Sequence, residues 1–104
     1  MTSVVTSYAL PEEVVRYCEQ HDLLGHLETA LRLAEEYFHP IERLEAEVQP
    51  DPEVENEETV IIDIWVRLGI EESIKRKAAW GRRWVESIPP SVIGQIVLLH
   101  HVID

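Results

Sequence analysis

Two periods of hydrophobic and polar positions run along this chain of 104 residues, one of about 3.6 and one of 2. Pro11 followed by Glu12 and Glu13 predicts a helix start. Proline fits the first turn, where its missing N–H costs nothing, and the acids suit the positive end of the helix dipole. This first helix runs to about His21, with Val14, Val15, Tyr17 and Cys18 as its apolar positions. Asp22 marks a break. A second helix then reaches about Phe38, with Leu24, Leu27, Leu31, Ala34 and Phe38 at spacings of three and four. Leu23, Ala30 and Tyr37 widen that stripe, which implies contact on more than one side. Pro40 forces His39 out of helical geometry and ends the helix.

The period then changes to two. Leu44, Ala46 and Val48 alternate with Arg43, Glu45, Glu47 and Gln49, the pattern of a half-buried strand. An acidic turn over residues 50–57 leads to the clearest strand of the chain. In it Val60, Ile62, Ile64, Val66 and Leu68 alternate with Thr59, Ile61, Asp63, Trp65 and Arg67. Ile61 and Trp65 leave the second face partly apolar, so it is expected under a terminal arm or in an interface. A third helix spans about Ile70 to Ser87. Its inner face is expected to be Ile70, Ile74, Ala78, Gly81 and Val85, with Trp80 and Trp84 along one edge. Pro89 and Pro90 end it. The run from Ile96 to Ile103 is apolar on both faces, with Ile96, Leu98 and Val102 on one and Val97, Leu99 and Ile103 on the other. A helix opened by Pro90 competes for this segment, but β-branching favours a strand. A strand of this kind belongs at the centre of a sheet or under another chain.

The expected fold is therefore α+β, in the order α-α-β-β-α-β. It is a small mixed sheet of three strands, the last two parallel across a helical crossover, with helices packed mainly on one face. Residues 1–104 form a single domain, and 1–9 are an irregular or extended arm. No apolar run approaches the roughly 20 residues that a membrane span needs. The first ten residues hold no basic residue, so a secretory signal is not expected. One cysteine, Cys18, cannot form an internal disulfide, which fits a reducing, cytoplasmic setting.

Charge narrows the partners. The net charge is −11, which disfavours nucleic acid and anionic membrane. Residues 1–50 hold ten acids against three bases, and residues 51–69 six against one. Residues 70–104 hold four acids against five bases, so the excess of acid lies wholly before residue 70. Solubility accounts for such a surface, and a basic partner protein would also be attracted by it. The segment with Lys75, Arg76, Lys77, Trp80, Arg82, Arg83 and Trp84 resembles a single-stranded nucleic-acid surface only until it is placed on a helix. There the bases share a face with Glu71, Glu72 and Glu86, and Glu71–Lys75 and Glu72–Arg76 are expected ion pairs.

Candidate chemistry is sparse. Cys18, His21 and His26 are scattered by the break at Asp22 and do not supply the four converging ligands of a structural zinc site, so no metal is expected. Asp51, Glu53, Glu55 and Glu57 lack the glycine and final glutamate of a calcium loop and read as a solvated hairpin tip. There is no GxSxG, P-loop or GxGxxG, and no cofactor is implied. In a strand His100 and His101 point to opposite faces. Either is a candidate base, with Asp63 or Asp104 to orient it.

The residues from Arg16 to Leu24, the helix ending at Phe38-His39-Pro40, the strand Val60–Val66, Arg83-Trp84-Val85 and Ile88-Pro89-Pro90 together resemble a family of small uncharacterised bacterial proteins of about this length. The resemblance covers roughly residues 14–104 and implies a stand-alone bacterial domain, with no activity to carry over. Two functions are therefore expected. The first is a non-catalytic acidic interaction or accessory domain, such as an antitoxin-like protein or small subunit, that binds a basic partner and forms a homodimer through Ile61, Trp65, Val97 and Leu99. The alternative is a small hydrolase or isomerase using a His/Asp pair on the sheet.

Overall fold

A computed structural model describes residues 10–50 and 58–103. The arm at 1–9, the acids Asp51, Glu53, Glu55 and Glu57, and Asp104 lie outside the described residues. The elements follow in the expected order: α1 (Glu12–Gln20), α2 (Leu24–Phe38), β1 (Ile41–Pro50), β2 (Glu58–Val66), α3 (Ile70–Ser87) and β3 (Ile96–Val102), with a short 3₁₀ turn at Pro90–Val92 before β3. The fold is a small α+β one, with a mixed three-stranded sheet and its helices mainly on one face.

Local chemistry sets the helix boundaries. Asp22 takes a left-handed φ of 56°, which short polar residues tolerate. This lets Leu23 N–H reach back to Cys18 O at 2.7 Å and close the end of α1. Leu23, Leu27, Ala30, Leu31, Leu33, Ala34 and Phe38 are buried, and they carry α2 through the core. The helix stops at Phe38, ahead of a cis His39–Pro40 peptide.

The sheet order is β1-β2-β3. β1 and β2 are antiparallel, with Glu45 opposite Asp63 and Arg43 opposite Trp65. β2 and β3 are parallel, with Asp63 beside Leu99 and Trp65 beside His101. Val60, Ile62, Ile64 and Val66 are fully buried against the helices, as are Ile96 and Leu98. The segment after Pro90 is thus a strand. It lies at the edge of the sheet, and β2 holds the centre, so a central position does not explain why β3 is apolar on both faces.

The inner face of α3 differs from expectation. Ser73, Trp80 and Trp84 are buried, while Ile70 is 67% exposed, Ile74 57% and Val85 52%. Each tryptophan offers more area than any one residue of the aliphatic stripe, and the helix is turned by about a quarter of a circle to bury them. Trp80 and Trp84 stack at 5.6 Å, and the Trp80 indole N–H donates to Ala30 O at 3.2 Å, which ties α3 to α2. The Ser73 hydroxyl donates to Ile70 O at 2.8 Å, so its burial leaves no open polar group. With both tryptophans inside, α3 has no rings to offer to bases, and Arg76 pairs with Glu72 at 3.0 Å as expected.

Candidate functional site

Because strand side chains alternate, the outer face of the sheet reads as rows across three strands. The first row is Arg43, Trp65 and His101. The second is Glu45, Asp63 and Leu99, and the third is Glu47, Ile61 and Val97. All four expected interface residues, Ile61, Trp65, Val97 and Leu99, therefore share this face. Ile61, Trp65 and Val97 are half-buried and Leu99 is 43% exposed.

The first row carries the densest chemistry. The Trp65 ring stacks on His101 with centroids 4.7 Å apart and an angle of 21° between planes. The Arg43 guanidinium lies 4.9 Å from the Trp65 centroid, within cation–π range. His101 Nε2 meets Asp63 Oδ1 at 2.9 Å. Of the two histidines proposed as bases, the register thus brings His101 to Asp63. The His101 side chain is 43% exposed and Asp63 19%, so the pair is open to solvent. Arg43 also pairs with Glu45.

His100 points to the other face, as the alternation requires. Its ring stacks with Phe38 at 6.0 Å. Burial, then the Lys77 ammonium, then His101 hold its pKa below the ordinary value, so it is poorly placed to carry a proton. Lys77 donates from α3 to Leu98 O at 2.6 Å and lies 5.9 Å from the Trp80 centroid, and burial lowers its pKa as well.

At the second and third rows a groove of about 300 Å³ opens at the β1 side, lined by Pro11, Leu44, Glu45, Ala46, Glu47 and Asp63. Three of its six lining residues are carboxylates, which suits a cationic side chain. Asp63 belongs to both groove and dyad. Glu45 and Glu47 were legible only as the polar half of an alternation. Arg43 was missed, although its parity matches that of Trp65 across the hairpin.

Elsewhere the candidates disperse. Cys18 is buried, and burial pushes its thiol up to about 11, which leaves it a poor nucleophile. Among the described residues no three of His, Cys, Asp and Glu converge as a metal-holding group. No described helix is long and apolar enough to cross a membrane. No family model, curated protein or solved structure matches the chain.

Proposed function

We propose that this chain is a non-catalytic interaction domain that self-associates and takes a basic segment of a partner protein on the outer face of its sheet. The observation that carries this reading is the groove in which Glu45, Glu47 and Asp63 converge with Pro11, Leu44 and Ala46. Carboxylates attract a lysine or arginine, and Pro11, Leu44 and Ala46 give its stem an apolar wall. The excess of acid before residue 70 steers such a partner towards the same side. An antitoxin-like or accessory role in a bacterial cytoplasm is in keeping with this surface, as is membership of a family of small bacterial domains.

Titration of isotope-labelled protein with a lysine-rich peptide tests the reading. The expected amide shifts centre on Glu45, Glu47, Ile61, Asp63 and Trp65, and disappear in a Glu45→Lys, Glu47→Lys double variant. Shifts confined to α3, or none at all, would contradict it.

The His101–Asp63 contact favours a second reading, in which Asp63 orients His101 as a general base in a small hydrolase or isomerase. Hydrolysis of p-nitrophenyl acetate that is lost in both His101→Gln and Asp63→Asn would support it. Equal rates in wild type and variants would remove it.

A further inference from the structure

Among the described residues no further strand pairs with either outer edge of the sheet, and the two edges carry opposite chemistry. Val60 N–H donates to Gln95 O at 2.9 Å and Ile103 N–H to Val66 O at 2.8 Å. By the alternation of a parallel ladder, Val97, Leu99 and His101 turn their backbone groups to β2, and Ile96, Leu98, His100 and Val102 turn theirs outward. The strand Ile96–Val102 has no Lys, Arg, Asp or Glu, no proline and no bulge. Proteins ordinarily block such an edge with those devices. Among the described residues, Lys77 donates to this edge, at Leu98 O.

The side of α3 next to this edge is apolar too. Lys77, which touches the edge, stands seven residues after Ile70 and three after Ile74, so all three share one side of the helix. Ile70 and Ile74 are the most exposed large apolar residues among those described. α3 starts just after Val66, which pairs with Val102, so these two residues flank the His100–Val102 end of the edge.

Resting on the self-association proposed above, we infer that β3 pairs antiparallel with β3 of a second copy across a two-fold axis at Leu99, joining two three-stranded sheets into one. Charge selects a second copy as the occupant. Residues 70–104 hold four acids and five bases, whereas residues 1–69 hold sixteen acids and four bases. Contact along β3 and α3 therefore joins the two nearly neutral sides and leaves the acidic sides apart. An uncharged strand also meets itself without like charges opposed. In this register Leu98 exchanges hydrogen bonds with His100 of the other copy and Ile96 with Val102. Leu99 faces its own mate, and Val97 faces His101. The α3 helices lie side by side on the inner layer, each covering the Ile70–Ile74 stripe of the other. Leu98 O has two lone pairs, so the Lys77 bond persists.

Light scattering at about 50 µM, a concentration at which mass action favours a micromolar dimer, is expected to give twice the monomer mass. A monomer would overturn both self-association and the edge pairing. Leu99→Glu sets two carboxylates face to face and is expected to weaken the dimer by roughly 100-fold or more, with the fold unchanged by circular dichroism. A dimer undiminished by Leu99→Glu would overturn the edge pairing and leave self-association standing. Register is read by disulfides, since residues directly opposed in a pair that does not exchange hydrogen bonds lie within disulfide reach. Leu99→Cys is expected to link to itself under mild oxidation. Val97→Cys and His101→Cys are expected to link only when mixed. Absence of any link, or self-linking of Val97→Cys in place of Leu99→Cys, would overturn the pairing. Cys18 is buried and does not compete.

Discussion

β1 and β3 flank the same central strand, yet one edge is closed by charge and the other is not. β1 presents Glu42, Arg43, Glu45 and Glu47 within ten residues and ends on Pro50, with a register shift between Ile41 and Arg43. β3 presents no formal charge in seven residues. The difference extends inward. β3 sends Ile96 and Leu98 fully into the core, while of the inner residues of β1 Ala46 is buried and Leu44 and Val48 are only half-buried. β1 is thus a solvated rim, and β3 a core strand with no second strand beside it among the described residues.

The largest effect that tests this contrast is on stability. Leu98→Ala removes a fully buried side chain and is expected to cost about 2–5 kcal/mol in urea unfolding. Leu44→Ala, half-buried on β1, is expected to cost about 1–2 kcal/mol. Equal losses would erase the distinction between rim and core.

Next in size is a pH effect confined to the β3 side. His100 faces Phe38 from α2 and Lys77 from α3, with His101 next in the strand, and its pKa is held below the ordinary 6.5. As pH falls below 6.5 the unfolded chain takes up this proton before the folded one. His100 therefore lowers stability from about pH 6.5 downward and leaves it level above that value. His100→Gln is expected to flatten this part of a stability-against-pH curve. An unchanged slope would show that His100 is not its source.

Smaller still is the cap on the open edge. Lys77→Met removes the bond to Leu98 O, for an expected loss of about 1 kcal/mol. Smallest is the Arg43–Glu45 pair on the closed edge, whose side chains are more than half exposed. Glu45→Gln is expected to change stability by no more than about 0.5 kcal/mol, and a larger loss would show that the rim carries structural weight.

The same contrast marks how far the sequence could be read. The strict alternation from Thr59 to Val66 named both faces of β2, because period two admits one solution when one face is buried. The break at Asp22 and the stop before Pro40 were legible for a different reason, since local backbone chemistry decides them. α3 was misread because Ile70, Ile74, Ala78, Gly81 and Val85 outnumber Ser73, Trp80 and Trp84, and helical spacing does not weigh a tryptophan against an isoleucine. The split of His100 and His101 to opposite faces followed from strand geometry. That Asp63 would meet His101 did not, because it depends on the register of a parallel pair set by the whole crossover. Ile61, Trp65, Val97 and Leu99, expected as an interface, share one face of the sheet. The edge beside them was not seen, because which strand lies outermost is a property of the sheet and not of the strand.

Hydrogen exchange of backbone amides tests the central contrast most directly, with Leu98, His100 and Val102 compared against Leu44, Ala46 and Val48 over a range of protein concentration. The β3 amides are expected to gain protection as concentration rises while the β1 amides exchange at open rates throughout. Protection that appears on β1, or is absent from β3 at every concentration, would contradict the account.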